Sequence, residues 1–92
     1  MAYTITNYTR VQARKLGVQV KPSTRKGKKI DVFRNDKKVA SIGDINYKDF
    51  PTFMRTEGRE VANKRRKAYR ARHQGEQDKI GSPGYYAWKL LW

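Results

Sequence analysis

The residues able to do chemistry are concentrated between Arg59 and His73. Lys64, Arg65, Arg66, Lys67, Arg70 and Arg72 follow Arg59 there, with Glu57 and Glu60 only at the start and no further acid until Glu76. Ammonium and guanidinium groups at this density neutralise phosphate or carboxylate oxygens. With so few acids in reach, i,i+4 pairing cannot quench the run, and the like charges repel until an anion arrives. A second concentration comprises Lys21, Arg25, Lys26, Lys28 and Lys29, with Pro22, Ser23 and Gly27 among them. It reads as a basic, irregular loop able to follow a phosphate backbone, with Ser23, Thr24 and main-chain N–H groups as added donors.

The whole chain has the same bias. Twenty-two Lys and Arg against eight Asp and Glu give 92 residues a formal charge of +14, the balance of a nucleic-acid or anionic-surface binder. Aromatic residues at 12% argue for a folded chain rather than a disordered basic tail. The absence of Cys and the single His exclude disulfide staples and a conventional zinc finger, and no cofactor is expected. No apolar run approaches the roughly 20 residues of a membrane span and no signal-peptide core is visible, so a soluble protein inside a cell or a particle is expected.

Catalysis finds little support. General acid–base work needs paired titratable groups in a dry cleft, whereas the acids are scattered: Asp44 and Asp49 near turns, Glu57 and Glu60 at a helix start, Glu76 and Asp78 in a loop. His73 lacks a nucleophile partner. Asp36-Lys37-Lys38 has the acid-x-lysine spacing of a nuclease metal site, but no partner carboxylate is apparent on a neighbouring strand position.

The elements that must position these cations follow from local signals. Thr6 or Asn7 caps a helix over residues 7–16 that Gly17 terminates. Val18 to Val20 alternate as an extended segment. Residues 29–42 read as a β-hairpin around Arg34-Asn35-Asp36-Lys37, for which Val18 to Val20 can supply a third strand. Asp49 caps a short helix that tolerates Pro51, and Tyr47, Phe50, Phe53 and Met54 are assigned to the core, with a stacking platform for bases as the alternative. Gly58 makes a corner into the basic helix, 59–73, which is expected to dock through Val61, Ala68 and Tyr69. Ser82-Pro83 starts a last helix through Tyr85 to Trp92, whose Trp88, Leu91 and Trp92 form a stripe to be tucked into the fold or anchored in a neighbouring subunit. The expectation is one α+β domain over residues 1–92, with helix and hairpin in 1–43 and an aromatic-rich helical half in 44–92.

A family resemblance rests on Gly43-Asp44, Tyr47-Lys48-Asp49-Phe50-Pro51-Thr52-Phe53, Gly58, Ala62, Arg65-Arg66, Tyr69, Arg72-His73, Gly81-Ser82, Gly84-Tyr85-Tyr86-Ala87 and Leu91-Trp92. These resemble a family of small basic proteins of large DNA viruses of algae and protists (phycodnavirus-like), also found in some marine phages, mainly over the second half of the chain. The resemblance implies a viral origin and a virion or genome-packaging role, and it brings no catalytic residues. Two readings follow. In the first, the two cationic clusters bind nucleic acid, DNA rather than RNA, through phosphates without strong sequence choice. In the second, a minor capsid or cement protein pairs the same cations with acidic capsid proteins and inserts Trp88, Leu91 and Trp92 into a neighbour. Either places the chain in a virion, and in the host cell interior during infection.

Overall fold

The computed structural model describes residues 3–92. Met1 and Ala2, the first residues of the expected 1–43 half, lie outside the described residues. The chain runs α1 (Asn7–Leu16), β1 (Gln19–Pro22), β2 (Lys28–Arg34), β3 (Lys37–Asp44), α2 (Phe50–Glu57), α3 (Arg59–Arg72), a 3₁₀ turn (Glu76–Asp78) and α4 (Pro83–Leu91). The architecture is α+β, an N-terminal helix and a three-stranded antiparallel sheet followed by helices.

Local chemistry explains most boundaries. The Thr6 side chain accepts the Thr9 N–H at 3.3 Å, and Gly17 closes α1 in the left-handed region. Asn35 and Asp36 both have positive φ, 52° and 65°, the two-residue connection whose twist suits adjoining antiparallel strands. β1 pairs with β2 from Gln19↔Phe33 to Pro22↔Ile30, and β2 pairs with β3 with a bulge that leaves Val39 unmatched between Phe33↔Lys38 and Val32↔Ala40. Asp49 and Ser82 cap α2 and α4, each followed by a Pro in the first turn.

One face of the sheet supplies the core. Ile30, Val32, Ala40 and Ile42 pack with Ile5, Ala13 and Val18 and with Tyr86, Leu90 and Leu91 of α4. The Thr9 hydroxyl donates to the Leu90 carbonyl at 2.8 Å in this interior, tying α1 to α4 across the sequence. α3 buries only Ala62 and rests chiefly on α2. No described helix is long and apolar enough to cross a membrane.

Two local expectations change. Tyr47 is not in the core: it is 71% exposed, because the residue sits in the turn after β3, its N–H bonded to the Asp44 carbonyl at 3.1 Å, and not on a helix with Phe50 and Phe53. The basic loop is shorter than its charge run, since β1 extends through Pro22 and β2 begins at Lys28.

Candidate functional site

α3 docks through aromatic rings as much as through its own apolar residues. Ala68, expected at the interface, is exposed, and Val61 is half-buried. The helix instead lays its arginines on the rings of its neighbours. The Arg66 guanidinium lies 4.0 Å from the centre of the Phe50 ring, Arg65 lies 5.6 Å from Phe53 and Arg70 lies 5.1 Å from Trp88. Arg70 Nη2 also donates to the Trp92 main-chain oxygen at 3.1 Å. Tyr69 stacks between the Trp92 ring, 4.4 Å away and tilted by 7°, and the His73 ring, 4.2 Å away. Burial, reinforced by the Glu76 carboxylate and opposed by Arg72, pushes the Tyr69 phenol up to about 12, so the ring stays neutral at physiological pH.

The helix that results has two kinds of cation. Arg66 and Arg70 are half-buried, and with Arg65 they are laid on aromatic rings; Arg59, Lys64, Lys67 and Arg72 are exposed without such a ring. Among the described residues, none of the seven forms an ion pair with an Asp or Glu side chain. Of the nearby acids, Glu57 pairs with Lys48 at 2.8 Å and Glu76 with His73 at 3.1 Å, while Glu60 in the first turn of α3 is exposed and forms no ion pair among the described residues. The exposed cations of α3, Arg59, Lys64, Arg65, Lys67 and Arg72, are left for an external anion.

The loop at Ser23–Gly27 is held by Asp31, a carboxylate the sequence reading passed over. Its side chain, 2% exposed on β2, accepts from Ser23 Oγ at 2.6 Å, Ser41 Oγ at 2.7 Å and the Thr24 N–H at 3.1 Å, with Lys38 Nζ 3.7 Å away. Burial alone raises the carboxyl, but the donors from Ser23, Ser41 and Thr24, with the Lys38 charge, outweigh it and hold it at about 2. A lone acid inside a strand of so basic a chain was the available signal. It also supplies the neighbouring-strand carboxylate thought missing beside Lys38, yet hydroxyl and amide donors already fill its oxygens.

Several expected site residues lie elsewhere than their sequence suggests. Lys21, Arg25 and Lys26 are exposed and Lys28 is half-buried, so the loop keeps part of its cationic surface. Lys29 does not belong to that surface. It is 4% exposed, and its Nζ donates to Asp49 Oδ2 at 3.1 Å, because the strand carries it under Tyr3 and the start of α2. Leu91 is likewise no anchor for a neighbour: at 1% exposure it is part of this chain's own core, since α4 covers the sheet. Trp88 and Trp92 remain half-buried within the aromatic stack.

Beside α3 the fold leaves a cleft of about 490 Å³. Its walls come from Asp44 at the end of β3, from Tyr47 and Lys48 just after it, from Phe53, from Arg65, Tyr69 and Arg72 on α3, and from Trp92. The cleft brings aromatic side chains and cations together, and none of residues 21–28 lines it. Residues 18–53 match a family of unknown function, DUF5754. The matched stretch contains the sheet, Asp31 and the Lys29–Asp49 pair and stops within α2, so α3 lies outside it. It covers less than half of the chain and carries neither an activity nor an indication of viral origin. No curated protein and no solved structure matches the chain.

Proposed function

We propose that this protein binds nucleic acid through phosphate contacts along α3, without strong sequence choice, as a virion-associated viral protein. The observation that carries the reading is the absence, among the described residues, of any Asp or Glu carboxylate paired with Arg59, Lys64, Arg65, Arg66, Lys67, Arg70 or Arg72. An unneutralised run of exposed cations along one helix matches a polyanion, whose phosphates release counterions on contact. Lys21, Arg25 and Lys26 on the Asp31-held hairpin add exposed cations at a second place. The viral setting comes from the sequence resemblance alone. A capsid-anchoring role is less favoured, because Leu91 and the stacked Trp92 serve this chain's own packing.

The test is binding to random-sequence duplex DNA from about 50 to about 200 mM salt. The comparison variant changes only the exposed cations that lie on no ring, Arg59, Lys64, Lys67 and Arg72, to Gln, since Arg65, Arg66 and Arg70 also hold the fold. Tight binding with a steep salt dependence, its log–log slope reduced by about 3 to 4 units in the variant, supports the proposal. Weak binding that the variant leaves unchanged sinks it.

A further inference from the structure

We infer that the cleft beside α3 takes an unpaired nucleobase, so that the protein prefers single-stranded nucleic acid to an uninterrupted duplex. This rests on the nucleic-acid reading and adds a second mode to it, stacking beside phosphate neutralisation. Tyr47 is the one aromatic residue of the described chain left mostly exposed, at 71%, and it stands at the wall of this cleft. Phe53 and the parallel pair of Tyr69 and Trp92, 7° apart, form the aromatic remainder of the wall.

The charges suit a nucleotide. Arg65 and Arg72 line the same cleft with no carboxylate partner among the described residues, within reach of a phosphate attached to a stacked base. Lys48 pairs with Glu57 at 2.8 Å, but both side chains are over a third exposed, so a phosphate can replace the carboxylate. Asp44 Oδ1 accepts the Asn46 N–H at 2.9 Å, and its carboxylate has capacity left for an exocyclic base amine. A volume of about 490 Å³ is within the size range of small-molecule sites. Paired bases in a duplex present no free face to such a cleft, whereas single strands give up their bases to aromatic rings.

The experiment compares oligo(dC) of about 16 nucleotides with a duplex of equal length by fluorescence anisotropy, for the intact protein and for Tyr47→Ala and Tyr47→Phe. Tryptophan emission is followed in parallel, since Trp92 lines the cleft. The expected result is tighter binding of the single strand with quenched tryptophan emission. Tyr47→Ala should lose about 10-fold for the single strand, Tyr47→Phe should lose little, and duplex affinity should not move. If duplex and single strand bind alike and Tyr47→Ala changes neither, the base site is overturned while the phosphate reading stands. If neither nucleic acid binds, or poly-glutamate binds in their place, both readings fall together.

Discussion

The Nζ of Lys29 donates to Asp49 Oδ2 at 3.1 Å, with both side chains all but closed to solvent. The pair joins β2 to the N-terminus of α2, since the other Asp49 oxygen accepts the Thr52 N–H at 3.0 Å and caps that helix. The Tyr3 hydroxyl adds a 2.6 Å bond to the same carboxylate. A cation that the charge run assigns to the binding surface is therefore part of the frame that sets α2, and through α2 the basic helix.

Removing one member of this pair leaves a buried charge without its partner. Lys29→Met should destabilise the fold by about 3 kcal/mol in urea unfolding. Lys29→Met with Asp49→Asn should recover part of that loss, as uncharged partners no longer demand compensation. Affinity for DNA, measured well below the unfolding midpoint, should change little in the single variant.

Asp31 makes stability depend on acid. Its folded carboxyl, at about 2, holds its proton more weakly than an unfolded aspartate at about 4. The stabilisation is therefore complete above pH of about 4 and is lost as the pH falls toward about 2. Urea midpoints measured across that window should fall for the native protein, and Asp31→Asn should start lower at neutral pH and lose this component of the decline. The same variant should raise hydrogen exchange at Thr24, whose N–H the carboxylate holds.

Gly43 has φ of +79°, and a Cβ there would lie 2.8 Å from Leu91 Cδ1 and 3.0 Å from Lys29 Cδ. Gly43→Ala combines backbone strain with a close approach to the core and should cost about 1 to 3 kcal/mol. A drop in Tm of roughly 4–8 °C per kcal/mol is the readout for a domain of this size.

The Thr9 hydroxyl bonded to the Leu90 carbonyl is buried, so Thr9→Val keeps the shape and strands the acceptor. A loss of about 1 to 2 kcal/mol is expected in equilibrium unfolding.

The cations of α3 should divide into two classes on replacement. Changing Arg59, Lys64, Lys67 and Arg72 to Gln relieves repulsion and should leave Tm at low salt unchanged or slightly higher while binding falls. Arg66→Gln, which removes the guanidinium 4.0 Å from the Phe50 ring centre, should lower stability by about 1 kcal/mol. An equal loss of stability from both sets would contradict the division.

What the sequence determined by itself was local. Thr6, Asp49 and Ser82 mark helix starts, and Asn35-Asp36 marks the turn of the hairpin, because a cap or a tight turn is a matter of a few adjacent residues. The helix at Arg59–Arg72 and its excess charge were legible for the same reason, since composition and a 3.6-residue period need no knowledge of what lies opposite. Tertiary structure decided which charges are available. Lys29 reads like Lys28 until a carboxylate 20 positions away meets it, and nothing local singles out Asp31 until hydroxyls from two other segments close over it. Leu91 and Trp92 are neighbours on a promising stripe, yet one enters the core and the other stacks on Tyr69. The cleft exists only where the turn after β3, α2, α3 and α4 converge. Burial is a property of what folds back over a residue, and long-range packing, rather than the residue's own type, sets it.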